Sequence, residues 1–211
     1  MSHTPLALIE TIRVVGGKAP LYGLHLRRLV ASCQALGIPF PLAFKIPEGG
    51  PDRAQRLEVG PGGMTVTERP IGSVEPVRLR TSAVRHPGYR HKTTQRAAFD
   101  KAQAQGRPDE ALLLTAEGEV AEASIWCLFW WEGDTLCAPA LALDILPGVS
   151  RMRVEELSGP VAERRVGRPA LSGRPAFVAN ALRGVVPVAR WDGDPVPKHP
   201  GTAFLASRFW G

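Results

Sequence analysis

The sequence predicts an α/β (α+β) protein of two domains. A small N-terminal α/β domain covers residues 1–85, a linker covers 86–91, and a strand-rich C-terminal domain covers 92–211. Three observations predict this. One strand-like and one helix-like apolar pattern follow each other near the N-terminus. Short strand-like runs crowd the chain after Glu110. Between them, Pro87-Gly88 interrupts any regular pattern.

Leu6 to Val15 reads as a strand, its β-branched residues loosely alternating until Gly16-Gly17 stops it. From Leu24 to Leu36, the residues Leu26, Leu29, Val30, Cys33 and Leu36 recur at helical spacing, and Gly37 and Pro39 end the helix. Pro47 to Gly63 is glycine-rich and reads as a loop. Met64 to Glu68 and Pro76 to Val84 are strand candidates. After the linker, Thr93 to Gln105 reads as a helix with Thr93 or Thr94 as its N-cap. Glu110 to Thr115, Glu119 to Ser124, Trp126 to Trp131 and Thr135 to Ala138 follow as strands, with turns at Glu117-Gly118 and Gly133-Asp134. Val149 to Leu157 is a helix opened by Pro147-Gly148. Val161 to Arg165, Ala176 to Ala179 and Val185 to Ala189 are short strands.

The 211 residues suffice for a sizeable core, and 44% of them are hydrophobic. The longest apolar run, Ile125 to Trp131, is far too short for a membrane span, and no basic stretch precedes an apolar one at the N-terminus as in a signal peptide. Three cysteines, Cys33, Cys127 and Cys137, form no even framework, which points to a reducing cytoplasm. The net charge is +6. Its arginines are scattered rather than gathered in a run, so an anionic small molecule is the expected partner, not nucleic acid. No phosphate-loop, dinucleotide, zinc-protease or serine-hydrolase motif occurs. His86 and His91 lack the spacing of a metal pair.

Five places could carry chemistry. Arg27 and Arg28 are adjacent on a helix, so one can face solvent while the other turns inward toward an anion; a solvated helix face reads equally from the sequence. Lys92 lies where the linker meets a helix. It is either a surface lysine or a nucleophile made reactive by desolvation and nearby cations. Glu122 interrupts an apolar strand and needs a cationic partner or hydrogen-bond donors; a protonated heterocyclic nitrogen or an arginine would serve. Pro147-Gly148 opens a helix at Val149 and Ser150, where free amides and the dipole suit a phosphate or a plain cap. Asn180, Ala181 and Arg183 form a polar turn that could line a site.

In this order, the segments LIETIRV, HLRRLVAS, HKTTQRAAFDKA, DEALLLTAEGEVAEAS, LPGVSR and NALRGVVPV resemble the class IV aminotransferases, the fold-type IV enzymes of pyridoxal 5'-phosphate (PLP). The resemblance runs from Leu8 to about Val188. Within the family it is to the aminodeoxychorismate lyases, and more narrowly to the lyase-type domain fused behind the synthase component of p-aminobenzoate biosynthesis. It implies that Lys92 attaches the cofactor and later moves a proton at the substrate carbon. Glu122 would pair with the pyridine nitrogen. Arg28, the amides of Val149 and Ser150, the Ser150 hydroxyl, Asn180 and Ala181 would enclose the phosphate. Arg90 and Arg183 are candidates for the substrate carboxylates.

The implied reaction converts 4-amino-4-deoxychorismate to p-aminobenzoate and pyruvate in folate biosynthesis. The alternatives are transamination of branched-chain or D-amino acids, and a non-catalytic PLP-binding member. The family also implies a homodimer with the cofactor in a cleft. The five tryptophans suit a dimer face or a single-chain core equally. Three departures stand out: Cys127 where relatives usually have Asn, bulky Trp126, and Phe99 where a Tyr is often found.

Overall fold

The computed structural model describes residues 6–41 and 49–211. The chain forms two compact units, Met1–Ser73 with His91–Gln95, and Val74–Arg90 with Arg96–Gly211.

In the first unit, β1 (Leu8–Val14), β2 (Arg53–Gly60) and β3 (Gly63–Arg69) form an antiparallel sheet in the order β1-β2-β3. Helix α1 (Tyr22–Leu36) lays Leu29 and Cys33 against Leu8 and Val59. Gly37 ends it in the left-handed conformation (φ 64°), its N–H returning to the Cys33 carbonyl. Ile12, Val14 and Leu57 make a second cluster. Residues His91–Gln95 belong here because their backbone pairs along β1: Ile9 N–H donates to Lys92 O at 2.7 Å and Thr94 N–H to Ala7 O at 2.9 Å.

That pairing corrects one expectation. Thr93 is bridged to Leu8, not capping a helix. Helix α2 (Ala97–Gly106) starts later, with Arg96 at its N-cap and no side-chain cap. The segment read as a loop from Pro47 to Gly63 contains β2, the central strand, while Pro47 and Glu48 lie outside the described residues. Hydropathy hid β2 because its buried positions include Arg53 and Gln55. Glu68 on β3 accepts from both, from Arg53 Nε at 2.9 Å and from Gln55 Nε2 at 3.1 Å.

The second unit is built on β4 (Val77–Arg85), β5 (Glu110–Leu114), β6 (Val120–Ala123), β7 (Cys127–Glu132), β8 (Thr135–Pro139), β9 (Ala162–Arg164), β10 (Ala176–Asn180) and β11 (Gly184–Trp191). These form one sheet in the order β6-β5-β4-β11-β10-β7-β8-β9, with β12 (Asp194–Pro195) paired to β11. Strand β4, placed by the sequence in the N-terminal domain, pairs in parallel with β5 and β11. The expected linker is packed into this unit through Tyr89, which clusters with Phe99 and Leu146. Trp126, Trp130 and Trp191 lie in the chain's own core with Leu79 and Val178. Helix α3 (Val149–Ser158) packs on β10. Helix α4 (Pro200–Arg208), absent from the sequence reading, packs on β11. Among the described residues, no helix is long and apolar enough to cross a membrane.

Candidate active site

In the first unit, the helical period separates the two arginines of α1, as the sequence suggested. Arg27 is exposed and Arg28 is buried. Arg28 turns onto Glu10 of β1, its Nε donating to Oε1 at 2.8 Å and its Nη2 to Oε2 at 2.5 Å. One turn earlier on α1, His25 Nδ1 meets the same Oε2 at 2.6 Å. Burial by itself pushes the Glu10 carboxyl up. The Arg28 charge and the His25 contacts outweigh it and hold the group down at about 2. Burial pushes His25 below its usual value, against the pull of Glu10, and the Arg28 and Lys92 charges add to the lowering. A neutral His25 beside an ionised Glu10 donates from Nδ1, so Nε2 is an acceptor. Nε2 is buried without a hydrogen-bond partner among the described residues. Lys92 is half-buried, its backbone held against β1 and its charge felt at His25. The sequence identified Arg28 and Lys92 but missed Glu10 and His25, whose polarity is unremarkable until β1 and α1 meet.

In the second unit, Glu122 stands on β6 with its side chain 9% exposed. Its Oε1 accepts from His86 Nε2 at 2.9 Å and from the Leu146 N–H at 3.2 Å. Among the described residues, no hydrogen bond reaches Oε2. The sequence asked for a cation or donors beside Glu122. The structure supplies two donors, neither of them an arginine. His86 escaped notice because 36 residues separate it from Glu122.

Leu146 leads directly to Gly148, the N-cap of α3. A Cβ at Gly148 would sit 2.3 Å from Cys127 Sγ, so the helix start is pressed against β7. The Ser150 hydroxyl donates its one proton to Ala179 O at 2.9 Å, and Cys127 Sγ lies 3.4 Å from the same hydroxyl oxygen. The Val149 and Ser150 amides head α3 with no acceptor among the described residues. Asn180 Oδ1 accepts from the Leu182 and Arg183 N–H groups at 3.0 and 2.8 Å, which shapes the turn that follows Ala181. The second unit thus contains Glu122, the start of α3 and the Asn180 turn. Arg183 lies over the Trp126 ring at 5.6 Å. Arg90 is on the exterior, its Nε donating to Asp144 at 2.6 Å.

The profile described as amino-transferase class IV matches residues 64–191, and the chain belongs to that family. Solved structures agree. A Mesorhizobium loti protein assigned as an amino-acid aminotransferase is 28% identical with a TM-score of 0.79, over 88% of this chain and 99% of its own. A Legionella pneumophila protein assigned as a 4-amino-4-deoxychorismate lyase is 25% identical with a TM-score of 0.81, over 96% and 91%. A T.th. branched-chain amino acid aminotransferase, complexed with N-(5'-phosphopyridoxyl)-L-glutamate, shares the fold at 21% identity and a TM-score of 0.77, over 98% and 84%. No curated protein matches the chain.

The cofactor of this family is PLP. The residues present fit it. The unbonded oxygen of Glu122 suits a protonated ring nitrogen, and the open amides of Val149 and Ser150 suit a phosphate. Gly148 leaves no room for a side chain at that helix start.

Proposed function

We propose that the protein is a PLP-dependent lyase that converts 4-amino-4-deoxychorismate to p-aminobenzoate and pyruvate. The observation that carries the PLP chemistry is Glu122, a carboxylate in an apolar strand with both its donors on one oxygen. Bound PLP supplies an electron sink for charge left at the substrate carbon. Lys92 contributes the amine that takes the proton from that carbon. In the first unit Glu10 holds the Arg28 guanidinium fixed, and in the second unit the Val149 and Ser150 amides are donors suited to a phosphate. Arg183 is the better placed of the two candidates for a substrate carboxylate, since Arg90 is engaged with Asp144. The lyase assignment draws on the resemblance of the segments around Lys92 and Asn180 and on the Legionella relative.

A second reading, amino-acid transamination, is favoured by the higher identity of the Mesorhizobium relative. The two differ in stoichiometry: a transaminase needs a keto-acid acceptor and the lyase does not. Protein purified with PLP is expected to absorb in the visible and to be bleached by borohydride, with both properties lost in Lys92→Ala. Supplied with aminodeoxychorismate and no keto acid, the wild type should release pyruvate and p-aminobenzoate in equal amounts. Lys92→Ala should lose turnover by several orders of magnitude. Activity only with an amino acid and a keto acid together would establish the transaminase. Turnover retained in Lys92→Ala would refute both.

A further inference from the structure

We infer that His86 is the positioning residue of Glu122: it holds one carboxylate oxygen so that the other is left for a cationic ring nitrogen. The inference rests on the PLP reading and extends it to a residue outside the cofactor-contacting set.

The protonation pattern follows from the hydrogen bonds. The Gly88 N–H donates to His86 Nδ1 at 3.2 Å, so Nδ1 carries a lone pair. The single ring proton is then on Nε2, which lies 2.9 Å from Glu122 Oε1. The imidazole is neutral and acts on the carboxylate as donor only. The pair therefore keeps one net negative charge. An imidazolium or a guanidinium at this place would cancel it before any ligand arrived.

The ring is also fixed in place. The His86 side chain is 1% exposed. Its backbone N–H is held by Leu114 O at 2.8 Å. Phe99 stands edge-on to the ring at 5.5 Å and 82°. This gives Phe99, a departure from the family's Tyr, a local role as the wall that prevents the imidazole from turning. The Leu146 N–H adds a second donor to Oε1, so both fixed donors converge on one oxygen. A carboxylate so constrained has its rotation set, and its remaining acceptor capacity lies on Oε2.

The test compares His86→Gln, whose amide N–H can replace Nε2–H, with His86→Met, of similar length but without a donor. Each variant is loaded with PLP labelled with 15N in the ring. The ring-nitrogen shift is followed across pH by NMR, and PLP affinity is measured by equilibrium dialysis. His86→Met is expected to weaken PLP binding about 10- to 100-fold and to move the ring-nitrogen signal toward the unprotonated position. His86→Gln should return both close to wild type. A merely structural role would lower the melting temperature without moving the ring-nitrogen shift. An unchanged shift in His86→Met overturns the inference, as does failure of both variants to fold. If the wild type itself takes up no PLP, the cofactor reading falls and this inference falls with it.

Discussion

Glu10 shows how one residue organises its surroundings. It accepts from Arg28 and His25 while 2% exposed, so two neighbours depend on its charge. Glu10→Gln should destabilise the protein by about 3 kcal/mol, measured by urea unfolding, because it leaves a buried guanidinium without its anion. The pH dependence has a definite sign. The folded carboxyl is held at about 2, below its ordinary 4.5, so its stabilisation is complete above about 4.5 and is lost as pH falls toward 2. His25 is likewise lowered and adds a loss in the same direction, beginning as pH falls below its ordinary 6.5. Wild-type stability should therefore decline on acidification over this range. Glu10→Gln should flatten the portion below about 4.5. An equally steep decline in the variant would contradict the assignment. The sequence singles out Lys92, Arg28 and Glu122 as candidates because each is a charged residue in an otherwise informative pattern. Glu10, His25 and His86 were not, since only contact with a distant element gives them a role.

Among the elements, the start of α3 depends on a close approach. Gly148 has its Cβ position 2.3 Å from Cys127 Sγ, a distance no real pair adopts. Gly148→Ala forces the Cys127 sulfur or the start of α3 to shift, at a cost of about 1–3 kcal/mol. It should also weaken PLP binding about tenfold or more, because the open amides move with the helix. Cys127→Ala removes the opposing sulfur. The double variant Gly148→Ala/Cys127→Ala should recover most of the affinity in equilibrium dialysis. No recovery would show that the helix start depends on Gly148 for another reason. The α3 start was readable from Pro147-Gly148, whereas the start of α2 was not. The backbone of Lys92 to Thr94 is drawn into pairing with β1, which removes Thr93 from the capping position its residue type favours. β2 was missed for a similar reason, its buried polar residues being paired with Glu68 across the sheet.

Over the whole chain, the second unit is closed by a segment that carried no signal in the sequence. Helix α4 packs on β11 and buries Leu205, and Phe209 just beyond it is fully buried. Arg153 of α3 donates to the carbonyls of Phe209 and Arg208 at 3.0 and 3.2 Å, and Trp131 Nε1 donates to Thr202 at 2.9 Å. Phe209→Ala should cost about 3–5 kcal/mol in urea denaturation; a loss under about 1 kcal/mol would mean that this end of the chain does not support the sheet. The α/β class, most of the strands, and the order of lysine, glutamate and helix start that marks the family all follow from the amino-acid order alone. Those features are local, since periodicity, turn residues and charge type are written within a few positions. It took the folded chain to show that β4 belongs to the large sheet, that Glu10 joins His25 and Arg28, and that His86 holds Glu122. These depend on pairings between residues far apart in sequence, and no local pattern states which partner a buried polar group will meet.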